Sequence, residues 1–260
     1  MQTVEQALEL LECFSERRPE FGLSELAKRA GFDKAKTRRH LIALIKHGLV
    51  EQHPTSKRYR LGAALLRLAR VREACFPIEA LVTPIVVDLV AQCGETAHFS
   101  LMSGKTLGNI SVVESPKAHR VTMERGEILP LHATASGLAY LAHSPDAFVA
   151  GFLGMELEAF TASTETEPQR IKRKLAQIRK RGIVKTVGSY DDGVTSYAIP
   201  IRAGQEYAVG AVAVAAPASR IDQRAEAIVT RELRLATHRI EAAIGGEAAI
   251  EMDSSKVLSL

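Results

Sequence analysis

Cysteine is scarce: Cys13, Cys75 and Cys93 are the only three in 260 residues, they form no CxxC pair, and one must be odd. That excludes a disulfide scaffold and fits reduced, packed thiols in a cytoplasmic protein. No apolar run approaches the ~18 residues that a bilayer span needs, so no membrane association is expected. The opening MQTVEQALELLECFSERR carries acids and lacks a basic segment ahead of an apolar one, so it does not read as a signal peptide. Metal-ligand spacing is also missing. His98, His119, His132 and His143 are scattered without an HExxH pattern, and no metal or cofactor is expected. His132, Ser136 and Asp191 or Asp192 can be assembled on paper into a Ser-His-Asp set. Yet Ser136 lies outside a GxSxG elbow, and the chain does not read as an enzyme.

What is present is ordinary in bulk and uneven in place. The chain is 46% hydrophobic and 25% charged, enough for one or two domains with a sizeable core. The formal net charge is +4, but residues 1–76 hold 15 Lys/Arg against 9 Asp/Glu, and the remainder is slightly acidic. Within residues 33–60 the cations Lys34, Lys36, Arg38, Arg39, Lys46, Lys57, Arg58 and Arg60 face only Asp33 and Glu51. A basic patch on a small module is the electrostatic footprint of a phosphate-backbone partner.

The pattern around that patch gives it a form. Val4, Leu8 and Leu11 mark an apolar stripe on a first helix that ends before Pro19. Ser24 is placed to cap a short second helix, SELAKRAG, with Leu26, Ala27 and Ala30 inward. Asp33 is placed to cap a third helix whose second half buries Leu41, Leu44 and Ile45. Its first half, with Lys34, Lys36, Thr37, Arg38 and Arg39, has no apolar periodicity. Two short strands, residues 49–51 and 58–61, flank a Pro54-Thr55-Ser56 turn. Together these make a winged helix-turn-helix, in which the third helix enters the major groove of double-stranded DNA. Arg38 and Arg39 are candidate base readers, either of which could instead hold a phosphate. Thr37 is placed to meet a base or phosphate. Ser24, Lys34 and Lys36 complete the helix contacts, and the wing carries Lys57 and Arg58 to phosphates.

Residues 63–76 read as a linker helix with an apolar stripe through Leu65, Leu68 and Val71/Cys75, ended by Pro77. A helix starting near Ile78 follows, with a kink or a fresh start expected at Pro84. Residues 97–115 alternate as strand, turn and strand around Ser103-Gly104-Lys105. A small-residue helix begins in ATASG, a polar helix spans PQRIKRKLAQIRKRG, three strand-like runs follow, and a last helix covers roughly 220–244. Neighbouring hairpins and flanking helices predict an α+β fold built on an antiparallel sheet. The small residues of ATASG suit two purposes equally: close approach of a carboxylate to free N–H groups, or close helix–sheet packing. The domain limits that follow are 1–62 (winged helix), 63–76 (linker), 77–248 (second domain) and 249–260 (flexible tail).

The chain resembles the IclR-type bacterial transcriptional regulators over nearly its whole length. The runs VEQALELLECF, LSELAKRAGFDKAKTRRHLIALIKHGLV, YRLG, LPLHATASGLAYLA and GAVAVAAP stand in the family's order and spacing. The resemblance implies a GAF-like effector domain and a homodimer, often paired into a homotetramer. It implies an effector pocket at the backbone of Ala135 and Ser136, at Asp191, Val194 and Ser196, and at Ala213 and Ala215. Family members that bind small keto acids tend to have serine at the last two positions; losing those hydroxyls favours a larger or more apolar organic acid, such as an aromatic one. The chain is shorter than the family around 189–193, which makes Asp192 an alternative to Asp191. Lys36 replaces a usual threonine and Asp33 a common proline, whereas Arg39 keeps the family's arginine. The expected function is a DNA-binding transcriptional regulator under small-molecule control, with repression favoured over activation. The alternative is an oligomerising interaction module with no small effector.

Overall fold

The computed structural model describes residues 2–245, and the expected tail at 249–260 lies outside them. The chain divides into two compact units, one ending at Pro77 and the other starting at Ile78.

In the first unit, α1 (Gln2–Leu11), α2 (Leu23–Ala30) and α3 (Lys34–Lys46) pack beside a three-stranded antiparallel sheet. Its strands β1 (Glu20–Phe21), β2 (Val50–Gln52) and β3 (Tyr59–Leu61) lie in the order β1-β3-β2. Leu10, Phe21, Leu26, Leu41, Leu44, Val50 and Tyr59 form the core. The first helix departs from the expected stripe: Leu10 and Cys13 are buried, while Val4 and Leu8 are exposed. Ile45 likewise faces outward, and Thr37 and His40 take the inner positions one turn earlier. Gly62, the last residue of YRLG, has a steric reason to be glycine. A Cβ there would sit 2.1 Å from the Gly48 carbonyl oxygen, where the chain returns against the end of α3. Helix α4 (Ala64–Cys75) follows and has no buried residue.

The second unit is a six-stranded antiparallel sheet in the order β6-β5-β4-β9-β8-β7. The strands are β4 (Thr96–Ser103), β5 (Thr106–Val113), β6 (Ile128–Leu129), β7 (Val184–Val187), β8 (Val194–Ile201) and β9 (Gly210–Pro217). One sheet face packs on α5 (Ile78–Cys93) and α9 (Gln223–Ile244) through Phe99, Tyr197, Val212 and Val214. The other packs on α6 (Ala135–Ala142), α7 (Asp146–Leu153) and α8 (Pro168–Arg181) through Met102, Ala198, Ala211 and Ala213. Two packed faces explain why β9 reads as a continuous hydrophobic run and not as alternation.

Pro84 does not start a fresh helix: α5 runs through it, with its neighbours Val82, Ile85 and Val86 buried against the sheet. Helix α7 and strand β6 were not expected from the sequence. Helix α6 buries all eight of its residues. Gly137 lets it do so, since a Cβ there would lie 2.4 Å from the Leu131 Cα.

Candidate functional site

The start of α3 is built by a cap. Asp33 Oδ1 accepts the Lys36 N–H at 2.8 Å, and that hydrogen bond is the main reason its carboxyl is held below the usual range. The capped first turn then presents Lys34, Arg38 and Arg39 to solvent, together with exposed Ile42. Lys36 is half-buried, its Nζ 4.2 Å from the centroid of the Phe32 ring. Thr37 differs from the expectation. It is fully buried, and its hydroxyl donates to the Asp33 carbonyl at 2.9 Å, so it braces the helix start from inside.

Ser24 is exposed on the first turn of α2, but it is not the cap. Gly22 holds that position, and its N–H donates to Glu25 Oε2 at 2.9 Å. Arg58 is also engaged within the domain. Its Nη2 donates to the Glu20 carbonyl at 3.0 Å and to Glu25 Oε2 at 2.9 Å, tying the wing to the start of α2. The Gly22 N–H, and after it Arg58, hold the Glu25 carboxyl below its ordinary range. Lys57 at the wing tip stays exposed, in the left-handed region at φ 55°. The structure thus brings Lys34, Arg38 and Arg39 onto one helix face, with Lys57 on the wing of the same unit.

The expected effector residues divide differently. Thr134 caps α6, its Oγ1 accepting the Gly137 N–H at 3.0 Å. The Leu138 N–H donates to the Thr134 carbonyl, leaving the N–H groups of Ala135 and Ser136 as first-turn donors. Both residues are buried, as are Ala213 and Ala215 in the middle of β9. Val194 and Ser196 are half-buried on β8, with Ser196 directly opposite Ala215. Asp191 and Asp192 are both exposed, and the Asp191 carbonyl accepts the Val194 N–H. Neither carboxylate joins the buried group.

One residue that sequence reasoning passed over does join it, and two more form a buried polar pair on the same sheet. His98 Nε2 and Ser136 Oγ lie 3.0 Å apart, and His98 pairs across the sheet with Ala213. Burial lowers the His98 pKa to about 4, so the ring is neutral, and its Nδ1 has no hydrogen-bond partner. Ser100 Oγ donates to Asn109 Oδ1 at 2.8 Å, with both residues buried on neighbouring strands. A loop closes over this end: Ser189 Oγ donates to the Ala133 carbonyl at 2.9 Å, and Thr161 and Thr164 donate to the carbonyls of Gly188 and Ser189. His132 Nε2 and the Glu158 carbonyl lie 2.8 Å apart, which occupies the paper triad's histidine elsewhere. The sequence signal for His98 was weak: a histidine alternating with Thr96 and Ser100 along one strand. Among the described residues, no cluster of His, Cys, Asp and Glu could hold a metal ion, and no single helix is long and apolar enough to cross a membrane.

Residues 75–242 match the family model described as the bacterial transcriptional regulator IclR C-terminal domain, and residues 3–54 match the IclR helix-turn-helix domain. The chain belongs to the IclR family of bacterial transcriptional regulators. Among curated relatives, the glycerol operon regulatory protein of Streptomyces griseus is 31% identical over 85% of this chain and 87% of its own. The crystal structure of a Silicibacter sp. TM1040 protein assigned to the IclR regulators is 39% identical, with a TM-score of 0.86 over 94% of this chain and 96% of that one. An IclR homologue of Microbacterium hydrocarbonoxydans, solved complexed with 4-hydroxybenzoate, shares the fold at 21% identity, with a TM-score of 0.74 over 93% and 98% of the two chains. Members of the IclR family are DNA-binding regulators and not enzymes. The N-terminal match covers the part of this chain that carries the capped, cation-fronted α3.

Proposed function

We propose that this IclR-family regulator binds operator DNA through α3 and the wing, and that an organic acid seated at the start of α6 controls its affinity. Arg38 and Arg39 read bases or hold phosphates, and Lys34 and Lys57 hold phosphates. The observation that carries the effector half is the buried polar group at α6. Two first-turn N–H donors, Ser136 and a neutral His98 with an unpartnered Nδ1 sit among apolar walls. The donors suit a carboxylate. Ala213 and Ala215 offer methyl groups where serines would suit a small keto acid, which favours an aromatic carboxylic acid. The 4-hydroxybenzoate complex of the Microbacterium relative supports that class. We infer that it represses by occupying the operator, in line with the repressor names that several relatives bear, such as the transcriptional repressor IclR of Escherichia coli.

The regulator acts as a homodimer or a pair of dimers. Exposed Val4 and Leu8 on α1, and Leu66, Leu68 and Val71 on α4, are apolar side chains for which a second copy is the natural cover. Effector binding shifts the arrangement of the paired recognition helices, changing DNA affinity by a coupling free energy of typically ~1–3 kcal/mol. Calorimetry with benzoate-type acids against pyruvate and glyoxylate tests the effector class. Tight binding of the keto acids with no aromatic acid bound refutes it.

A further inference from the structure

A groove away from α6 has a composition that the regulator reading does not use. It lies at the β7 edge of the sheet, between α8 and α9, with a volume of about 210 Å³. Its α8 wall presents Lys174, Gln177, Ile178 and Arg181, which fall on one helix face; Lys185 of β7 and Glu226 of α9 form the opposite wall.

The charges in the groove are not balanced. Lys185 Nζ is paired with Glu226 Oε2 at 2.5 Å, which neutralises the one acid present. Lys174 and Arg181 form no ion pair and no side-chain hydrogen bond among the described residues. Lys174 is half-buried, and that burial works against its charge, with only the more distant Glu165 favouring it. The third feature is independent of the cations. Tyr197 lines the groove and is 2% exposed, and its Oη makes no well-formed hydrogen bond: its polar neighbours, Lys185 and Glu226, are already paired with each other. A buried phenol oxygen without a partner is costly unless something supplies one.

We propose that this groove is a second small-molecule site, taking an organic dianion of the dicarboxylate class. Seven residues separate Lys174 from Arg181, so their attachment points lie ~10 Å apart along the helix. Long side chains set at that spacing reach the two ends of a four- or five-carbon diacid, so that each cation meets its own carboxylate. Ile178 and Ile183 line the same groove and offer apolar surface to the carbon chain, and the Tyr197 hydroxyl donates to a carboxylate oxygen. The site lets the regulator sense a central carboxylate independently of the acid bound at α6.

Isothermal titration of the full chain with succinate and glutarate tests this, with acetate and inorganic phosphate as comparison probes. The expected result is one-site binding of a diacid that weakens roughly tenfold in Lys174→Gln and in Arg181→Gln, as loss of a charge-assisted contact should. Tyr197→Phe should weaken it by a smaller factor, and Ser136→Ala should leave it unchanged. Arg181 is exposed and Lys174 half-buried on α8, and a far-ultraviolet spectrum verifies that the variants keep the fold. No diacid binding at millimolar concentration overturns the proposal. So does equal binding of acetate or phosphate, or diacid binding that is lost in Ser136→Ala and kept in the groove variants.

Discussion

Helix α3 and helix α6, the proposed DNA-reading and effector-binding helices, are built in opposite ways. Helix α3 buries four positions and turns three cations of its first half outward. Helix α6 buries every residue and carries no charge at all. Both starts are capped by a side-chain oxygen, Asp33 in one and Thr134 in the other. Under the proposed function, the contrast follows from the partner each would serve. A duplex is large, charged and met at a surface, so its reader needs long cationic side chains in water. A small acid is enclosed, so its site needs a few fixed donors in a space from which water is excluded.

Changes that strike the enclosed helix should have the largest effects. Gly137→Ala places a methyl group against the Leu131 backbone, where neither chain can yield cheaply. It should destabilise the C-terminal unit by about 3 kcal/mol or more, read as a lowered midpoint in chemical denaturation. A comparable loss from an alanine substitution at the exposed Arg38 would break the contrast.

The next effect depends on pH. His98 has a folded pKa of about 4 against an ordinary 6.5. An unfolded chain takes up the proton as pH falls below 6.5, and the folded chain resists until about 4. The stability that buried neutral His98 contributes is therefore complete above pH 6.5, declines across that window, and levels off below it. The total is at most about 3 kcal/mol. Unfolding free energies at pH 7 and pH 4.5 should differ less in His98→Asn than in the parent. An identical pH profile for the two would show that His98 does not titrate as its burial demands.

On the exposed helix the effects should fall on binding alone. Arg39→Ala should weaken specific DNA binding by about 1–3 kcal/mol with little change in stability. Thr37→Val should do the reverse, since Thr37 is internal and its hydroxyl is satisfied by Asp33. Anisotropy and denaturation on the two variants sharpen the division between outer and inner faces. The smallest effect is that of Lys57→Ala, which should weaken binding to all sequences alike and reduce the salt slope by roughly one. Arg58 makes the useful companion: its bonds to Glu20 and Glu25 predict a loosened wing as well as weaker binding when it is replaced.

The same contrast explains what the sequence made legible. The outward cations of α3, the Asp33 cap, the wing hairpin and the antiparallel sheet all leave local marks: charge, spacing, and turn residues. Ser24 misled because Glu25 reaches back to Gly22, so the cap is supplied from three residues ahead. Val4 and Leu8 misled because an apolar stripe looks the same whether it meets its own core or is left on the surface. His98, Ser100 and Asn109 were invisible for a different reason. They belong to neighbouring strands: sheet register alone brings His98 to Ser136 and Ser100 to Asn109, with a bulge between Phe99 and Ser100 setting which residues oppose which. Asp191 showed the converse: a position carried over from the family pattern lies in a short exposed loop, with its carboxylate outside the buried group.

The most direct measurement of the whole account is fluorescence anisotropy with DNA from the region upstream of the protein's own gene, against a scrambled duplex of equal length. It is run at several salt concentrations, with and without 4-hydroxybenzoate or benzoate. The account predicts tighter, salt-sensitive binding to the native duplex, an affinity that shifts when the acid is added, and loss of that shift in Ser136→Ala. Equal binding to both duplexes, unmoved by any acid, would contradict it.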